Sequence, residues 1–78
     1  MKFKIGKFYK NTNTGSALSI KFRANTTQWG NVLFGETTDD FSGLLPIYDE
    51  DDSGDWKEIS KEEWDDEFED AREFLTKN

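Results

Sequence analysis

Ser16-Ala17-Leu18-Ser19-Ile20-Lys21-Phe22-Arg23 alternates at every step. In an extended chain Leu18, Ile20 and Phe22 fall on one side, and Ala17, Ser19, Lys21 and Arg23 on the other. A period of two is that of a strand with one buried face. Residues 2–10 alternate as well, setting Phe3, Ile5 and Tyr9 against Lys2, Lys4, Phe8 and Lys10, with Gly6 as a place where a bulge can shift the register. Between these runs, Asn11-Thr12-Asn13-Thr14-Gly15 is turn chemistry and predicts a hairpin. Downstream, Asn25-Thr26-Thr27 leads into a third strand over residues 28–34. Its inward face stays open, because Trp29 and Leu33 compete with Val32 and Phe34 for the core.

The pattern weakens after Gly35. Residues 37–43 read as loop, and Leu44-Leu45-Pro46-Ile47-Tyr48 as a short edge strand, since Pro46 has no amide to give a ladder. The acidic stretch 49–55 reads as a solvated loop and Trp56-Lys57-Glu58-Ile59 as a final short strand. Ser60-Lys61-Glu62-Glu63 then fits a capping box. Trp64, Phe68, Ala71 and Leu75 follow on one stripe of a 3.6-residue period, which predicts an amphipathic helix. Glu62, Glu63, Asp65 and Asp66 near its start and Lys77 near its end suit the helix dipole. The fold expected is α+β: an antiparallel sheet of three to four strands followed by one C-terminal helix. A single domain, 1–78, holds basic strands (1–35), an acidic loop with short edge strands (36–59) and an acidic helix (60–77). The helix stripe is expected to meet Leu18, Ile20 and Phe22, with Phe3 and Ile5 alongside.

Composition narrows the chemistry. The chain has 78 residues with no cysteine and no histidine. Disulfides, thiol nucleophiles, imidazole bases and histidine-containing zinc sites are therefore excluded. Only 33% of residues are apolar, but the 15% that are aromatic each bury a large area, so one small core is feasible. A dimer would enlarge that core, and a homodimer is a fair expectation at this length. No apolar run is long enough to span a membrane, and the opening alternates Lys with Phe unlike a signal peptide, so a cytoplasmic protein without membrane contact is expected.

Charge is sorted along the chain. Residues 1–35 carry six bases and no acid, whereas residues 36–78 carry all 17 acids and four bases, giving +6 and -13, which sum to the net -7. Such asymmetry points to interaction surfaces. Asp49, Asp51, Ser53 and Gly54 match the start of a calcium loop, but Lys57 and Ser60 stand where its later ligands belong. No metal or cofactor is expected. The acidic runs resemble solvated helix surface rather than a catalytic carboxylate pair, and no nucleotide-binding glycine loop is present, so the chain is read as a non-enzyme with no catalytic residues.

Phe3-Lys4-Ile5-Gly6-Lys7 at one end, and Glu58-Ile59-Ser60 with Glu63-Trp64 at the other, resemble the positive-cofactor-four-like transcriptional coactivators, a single-stranded-DNA-binding family. The first stretch is similar to that family's opening strand and the second to its last strand entering the helix. The resemblance implies a curved four-stranded sheet with one helix, working as a dimer that grips unpaired DNA, with Lys4 and Lys7 as strand-borne contacts.

Two functions follow. The first is a small nucleic-acid-binding module in which a basic, aromatic sheet grips single-stranded DNA or RNA. Its candidate contacts are Lys4, Lys7, Lys21, Arg23 and Trp29, with Phe8 and Tyr9 as further aromatics beside them. The alternative is an acidic nucleic-acid mimic, encoded by a phage or mobile element, that inhibits a host DNA-handling or defence protein. Asp65, Asp66, Glu69 and Asp70 would then meet a basic nucleic-acid-binding protein.

Overall fold

The strand Ala17–Thr26 is the axle of the molecule, and its pairing explains most of what surrounds it. A computed structural model describes residues 3–47 and 55–76. Among them the chain forms β1 (Phe8–Asn11), β2 (Ala17–Thr26), β3 (Gly30–Thr37), β4 (Asp40–Ile47), β5 (Trp56–Ile59) and α1 (Lys61–Thr76). The strands form one antiparallel sheet in the order β4-β3-β2-β1-β5. The α+β class and the C-terminal helix thus match the reading of the sequence, with five strands in place of three to four.

The edge strand read over residues 44–48 begins earlier, at Asp40, inside the stretch read as loop. Residues 37–43 look unstructured because Thr, Asp, Ser and Gly dominate them, but those side chains build the β3–β4 hairpin. Thr37 Oγ1 accepts the Asp39 amide at 3.2 Å, and Asp40 Oδ1 accepts the Ser42 amide at 2.9 Å. Ser16 Oγ lies 2.7 Å from an Asp39 carboxylate oxygen, tying this turn to β2. Pro46 sits on β4, which is an edge as expected, opposite Phe34. Residues 48–54, which hold Tyr48 and the calcium-like start of the acidic stretch, lie outside the described residues.

The first strand begins later than its alternation suggests. Gly6 takes φ +84 in a turn closed by the Lys7 amide donating to the Lys4 carbonyl at 3.2 Å. The chain then joins β2 as the Gly6 amide reaches the Ile20 carbonyl at 2.9 Å and the Ile20 amide reaches the Lys7 carbonyl at 3.1 Å.

Both faces of the sheet are buried near its centre. Tyr9 pairs with Leu18, and Leu33 with Ile47, so these four share a face with Phe3 and Ile20 in one buried cluster, against which Trp56 packs. Phe3, from the segment before β1, joins this cluster from outside the strands. Two irregularities interrupt the ladders here: a register shift between Ile20 and Phe22, and another between Gly35 and Thr37. Gly35 is needed there, because a Cβ would meet the Ser19 carbonyl and lie 2.8 Å from Ile47 Cδ1.

On the opposite face, Phe8 pairs with both Ser19 and Ile59, and α1 packs over them. Ala17, Ile59 and Trp64 are buried together, with Phe8 and Phe68 packed against them. This corrects the expected packing: Trp64 and Phe68 meet Phe8, Ala17 and Ile59 rather than Leu18, Ile20 and Phe22. Ala17 and Ser19 are small enough to let a helix approach, whereas the larger Leu18 and Ile20 fill the enclosed side. Ile5 is exposed rather than part of the core, and Leu75 lies in α1 with its side chain outside the described set.

Candidate functional site

The register shift at Lys21 decides what the sheet presents to solvent. Strict alternation would place Phe22 with Leu18 and Ile20. After the bulge, Phe22 pairs with Phe34 instead, one residue out of phase with the Ile20–Gly35 pair. Phe22 therefore crosses to the helix-bearing side, where it stays 42% exposed and stacks on Phe34 with ring centroids 5.4 Å apart and planes 19° apart. Alternation alone gave no sign of this, because Lys21 and Arg23 read equally well on either side of a slip.

The basic candidates do not gather on one surface. Lys4 lies in the turn before β1, and Lys7 beside Ile20; both are exposed. Lys21, on the helix side, forms an ion pair with Glu36 at 3.3 Å. Arg23 pairs with Leu33 in register and so belongs to the other side, where it donates to Asn31 Oδ1 at 3.0 Å. Trp29 stands at the β2–β3 turn, 45% exposed, its amide donating to Thr26 Oγ1. Lys10 is held by Glu67 of α1 at 2.6 Å. That hydrogen bond and charge raise the Lys10 pKa above its usual value. Of the further aromatics, Tyr9 is buried with its hydroxyl accepting the Lys4 amide, and Phe8 stacks on Trp64 at 6.1 Å.

The acidic candidates are gathered. Ser60 caps α1 by accepting the Glu63 amide at 3.1 Å. Trp64 and Phe68, in ring contact at 5.1 Å, hold the helix down, and Phe68 reaches Phe41 of β4 at 4.9 Å. With that stripe inward, Asp65, Asp66, Glu69 and Asp70 all lie exposed on the outer face, where Glu62 and Glu73 are exposed as well. At ~100° per residue these six occupy an arc of about 140°. Asp65 has an ion pair within the helix, to Lys61 at 2.9 Å.

Among the described residues no group of three or more carboxylates is arranged to hold a metal, and no helix is long and apolar enough to cross a membrane. Comparison with protein-family models, with curated proteins and with solved structures gave no match to this chain.

Proposed function

We propose that the chain is a protein-binding module whose helix α1 imitates a nucleic-acid backbone and occupies the basic groove of a nucleic-acid-binding protein. The observation that carries this reading is the density of exposed carboxylates along α1. From Glu62 to Glu73 the helix rises about 16.5 Å at ~1.5 Å per residue. Seven exposed carboxylates over that length, with exposed Arg72 among them, give one per about 2.8 Å of axis, between the ~3.4 Å per phosphate of one DNA strand and the ~1.7 Å per charge of a duplex. The array is fixed to the sheet through Trp64 and the Lys10–Glu67 pair, so little ordering entropy is lost on binding. Two sheet lysines are meanwhile engaged by the protein's own carboxylates, which favours the helix over the sheet as the presented charge.

The test is displacement of a labelled oligonucleotide from a panel of purified basic nucleic-acid-binding proteins. The chain should displace it in a salt-sensitive manner from at least one member. Reversal of Asp65, Asp66, Glu69 and Asp70 to lysine should abolish the effect; displacement that survives reversal rejects the mimic.

A second reading, direct binding of single-stranded nucleic acid, draws on the β2–β3 hairpin, where residues 16–35 hold Lys21 and Arg23 and no acid, with Trp29 exposed at the turn. It requires oligonucleotide binding by the chain itself, weakened by reversal of Lys4, Lys21 and Arg23 to glutamate. Anisotropy of a labelled oligonucleotide at low and high salt decides between the two.

A further inference from the structure

Resting on the mimic reading, we infer that Phe74 is the aromatic anchor of the α1 interface, and that the partner's groove is lined with arginine where it meets this ring. Phe74 is the most exposed large apolar side chain among the described residues, at 69%. Unlike Ile5, Phe22, Trp29 and Leu44, which lie in the strands and their turns, it stands on the acidic helix itself. At ~100° per residue it lies about 90° from the centre of the inward stripe of Trp64, Phe68 and Ala71. Burial of that stripe leaves Phe74 on a flank whose neighbours are carboxylates. Asp70, four residues earlier, is ~40° away around the helix, and positions so spaced have Cβ atoms ~5–6 Å apart. Glu73 is the preceding residue, exposed as Asp70 is. Arg72 belongs to the opposite flank, ~160° from Phe74, and Lys77 lies outside the described residues.

The occupant follows from charge complementarity. A second copy meeting the ring through the same helix would set carboxylate against carboxylate. A basic partner answers ring and acids together, and of the two basic side chains arginine fits better. Its planar guanidinium is weakly hydrated, so it stacks on a ring face while its edge donates to a carboxylate. The lysine ammonium is compact and strongly hydrated, and gains less from a ring. Phe74 and Asp70, exposed one turn apart, supply that face and that acceptor.

The experiment titrates the full chain into two labelled probes, octa-arginine and octa-lysine, at low salt, with binding followed by anisotropy. The wild-type chain should bind octa-arginine more tightly than octa-lysine. A cation–π contact at an exposed site is worth about two- to five-fold in affinity. Phe74→Ala should therefore weaken octa-arginine binding by that factor and narrow its lead over octa-lysine. Phe74→Trp should keep or widen the lead, whereas Phe74→Leu, apolar but without a π-face, should behave as the alanine variant does. Equal affinity of Phe74→Ala and wild type for octa-arginine overturns the inference, as does an equal loss for both peptides, or full retention by Phe74→Leu. Self-association of the wild-type chain in sedimentation that Phe74→Ala abolishes also overturns it, by giving the ring to a second copy. Reversal of Asp65, Asp66, Glu69 and Asp70 to lysine is the separate control: peptide binding that survives it rejects the mimic reading, whatever Phe74 does. Binding of neither peptide rejects both.

Discussion

Gly35 shows how one missing methyl shapes this sheet. It pairs with Ile20 on β2 and Leu45 on β4, and the strands close so tightly around it that an alanine Cβ would run into the Ser19 carbonyl. The obstacle is backbone, which cannot rotate away as a side chain could. Gly35→Ala should therefore destabilise the fold by about 3 kcal/mol or more, the upper end for overpacking in a core. Chemical denaturation monitored by tryptophan fluorescence checks this, and an unchanged midpoint would contradict the close approach. Asp40 is a second residue whose role is local. The Ser42 hydroxyl, and then the Ser42 amide, donate to its carboxylate and hold its pKa below the usual range. A depressed carboxylate stabilises the fold above its unfolded pKa, and that contribution fades as pH falls through the lowered folded value. Ser42→Ala should move the Asp40 titration, followed by NMR of the carboxyl carbon, back toward the ordinary value. Lys10 has the opposite sign: its raised pKa means that its pair with Glu67 stabilises below the unfolded lysine value and is lost as pH rises through the folded one.

Elements differed in how plainly the sequence announced them. Helix α1 was legible because cap, stripe and charge agree: Ser60 accepts the Glu63 amide, and Trp64 and Phe68 pack inward. The cap alone should matter measurably. Ser60→Ala removes the acceptor and should cost about 1 kcal/mol, with Ser60→Gly costing only a few tenths, as read from thermal unfolding by circular dichroism. β5 was legible as well, from Trp56 to Ile59. β2 was legible only as far as Ile20. Its period of two continues to Arg23 in the sequence, but a bulge changes which ladder bonds form without changing that alternation, so Phe22 was read into the wrong face. The face that receives the helix was also concealed. Alternation marks Leu18 and Ile20 as the apolar side, yet Ala17 and Ser19 are buried too, the smallness of their side chains being the one sign that another element lies over them. β4 was legible from Leu44 onward, but its start at Asp40 was not, because the turn residues hydrogen-bond into a hairpin that propensity alone reads as loop. Of the candidate contacts, the acidic set could be placed from helical spacing, while the basic set depended on partners such as Glu36 and Glu67 that lie far along the chain.

At the scale of the whole molecule, the net charge of -7 is borne mostly by one helix, and its energetic sign separates a functional array from a merely soluble surface. Neighbours three and four apart on a helix lie ~5–6 Å from one another, inside the ~10 Å Debye length at 0.1 M salt and beyond the ~3 Å length at 1 M. The outer carboxylates of α1 therefore repel one another at physiological salt and cease to do so at high salt. Stability should rise with sodium chloride between 0.05 and about 1 M. The amide variant Asp65→Asn, Asp66→Asn, Glu69→Gln, Asp70→Asn should be more stable than wild type at low salt, because like-charge pairs at these spacings each cost a few tenths of a kcal/mol. Its melting temperature should also depend less on salt. Glu63 and Glu67, which face Lys10, would be untouched, and the one ion pair removed, Lys61–Asp65, is exposed and offsets only a few tenths of a kcal/mol of the gain. If the amide variant instead proves less stable than wild type, the acids are stabilising the fold through the helix dipole and the sheet lysines. Their density on α1 would then need no partner to account for it.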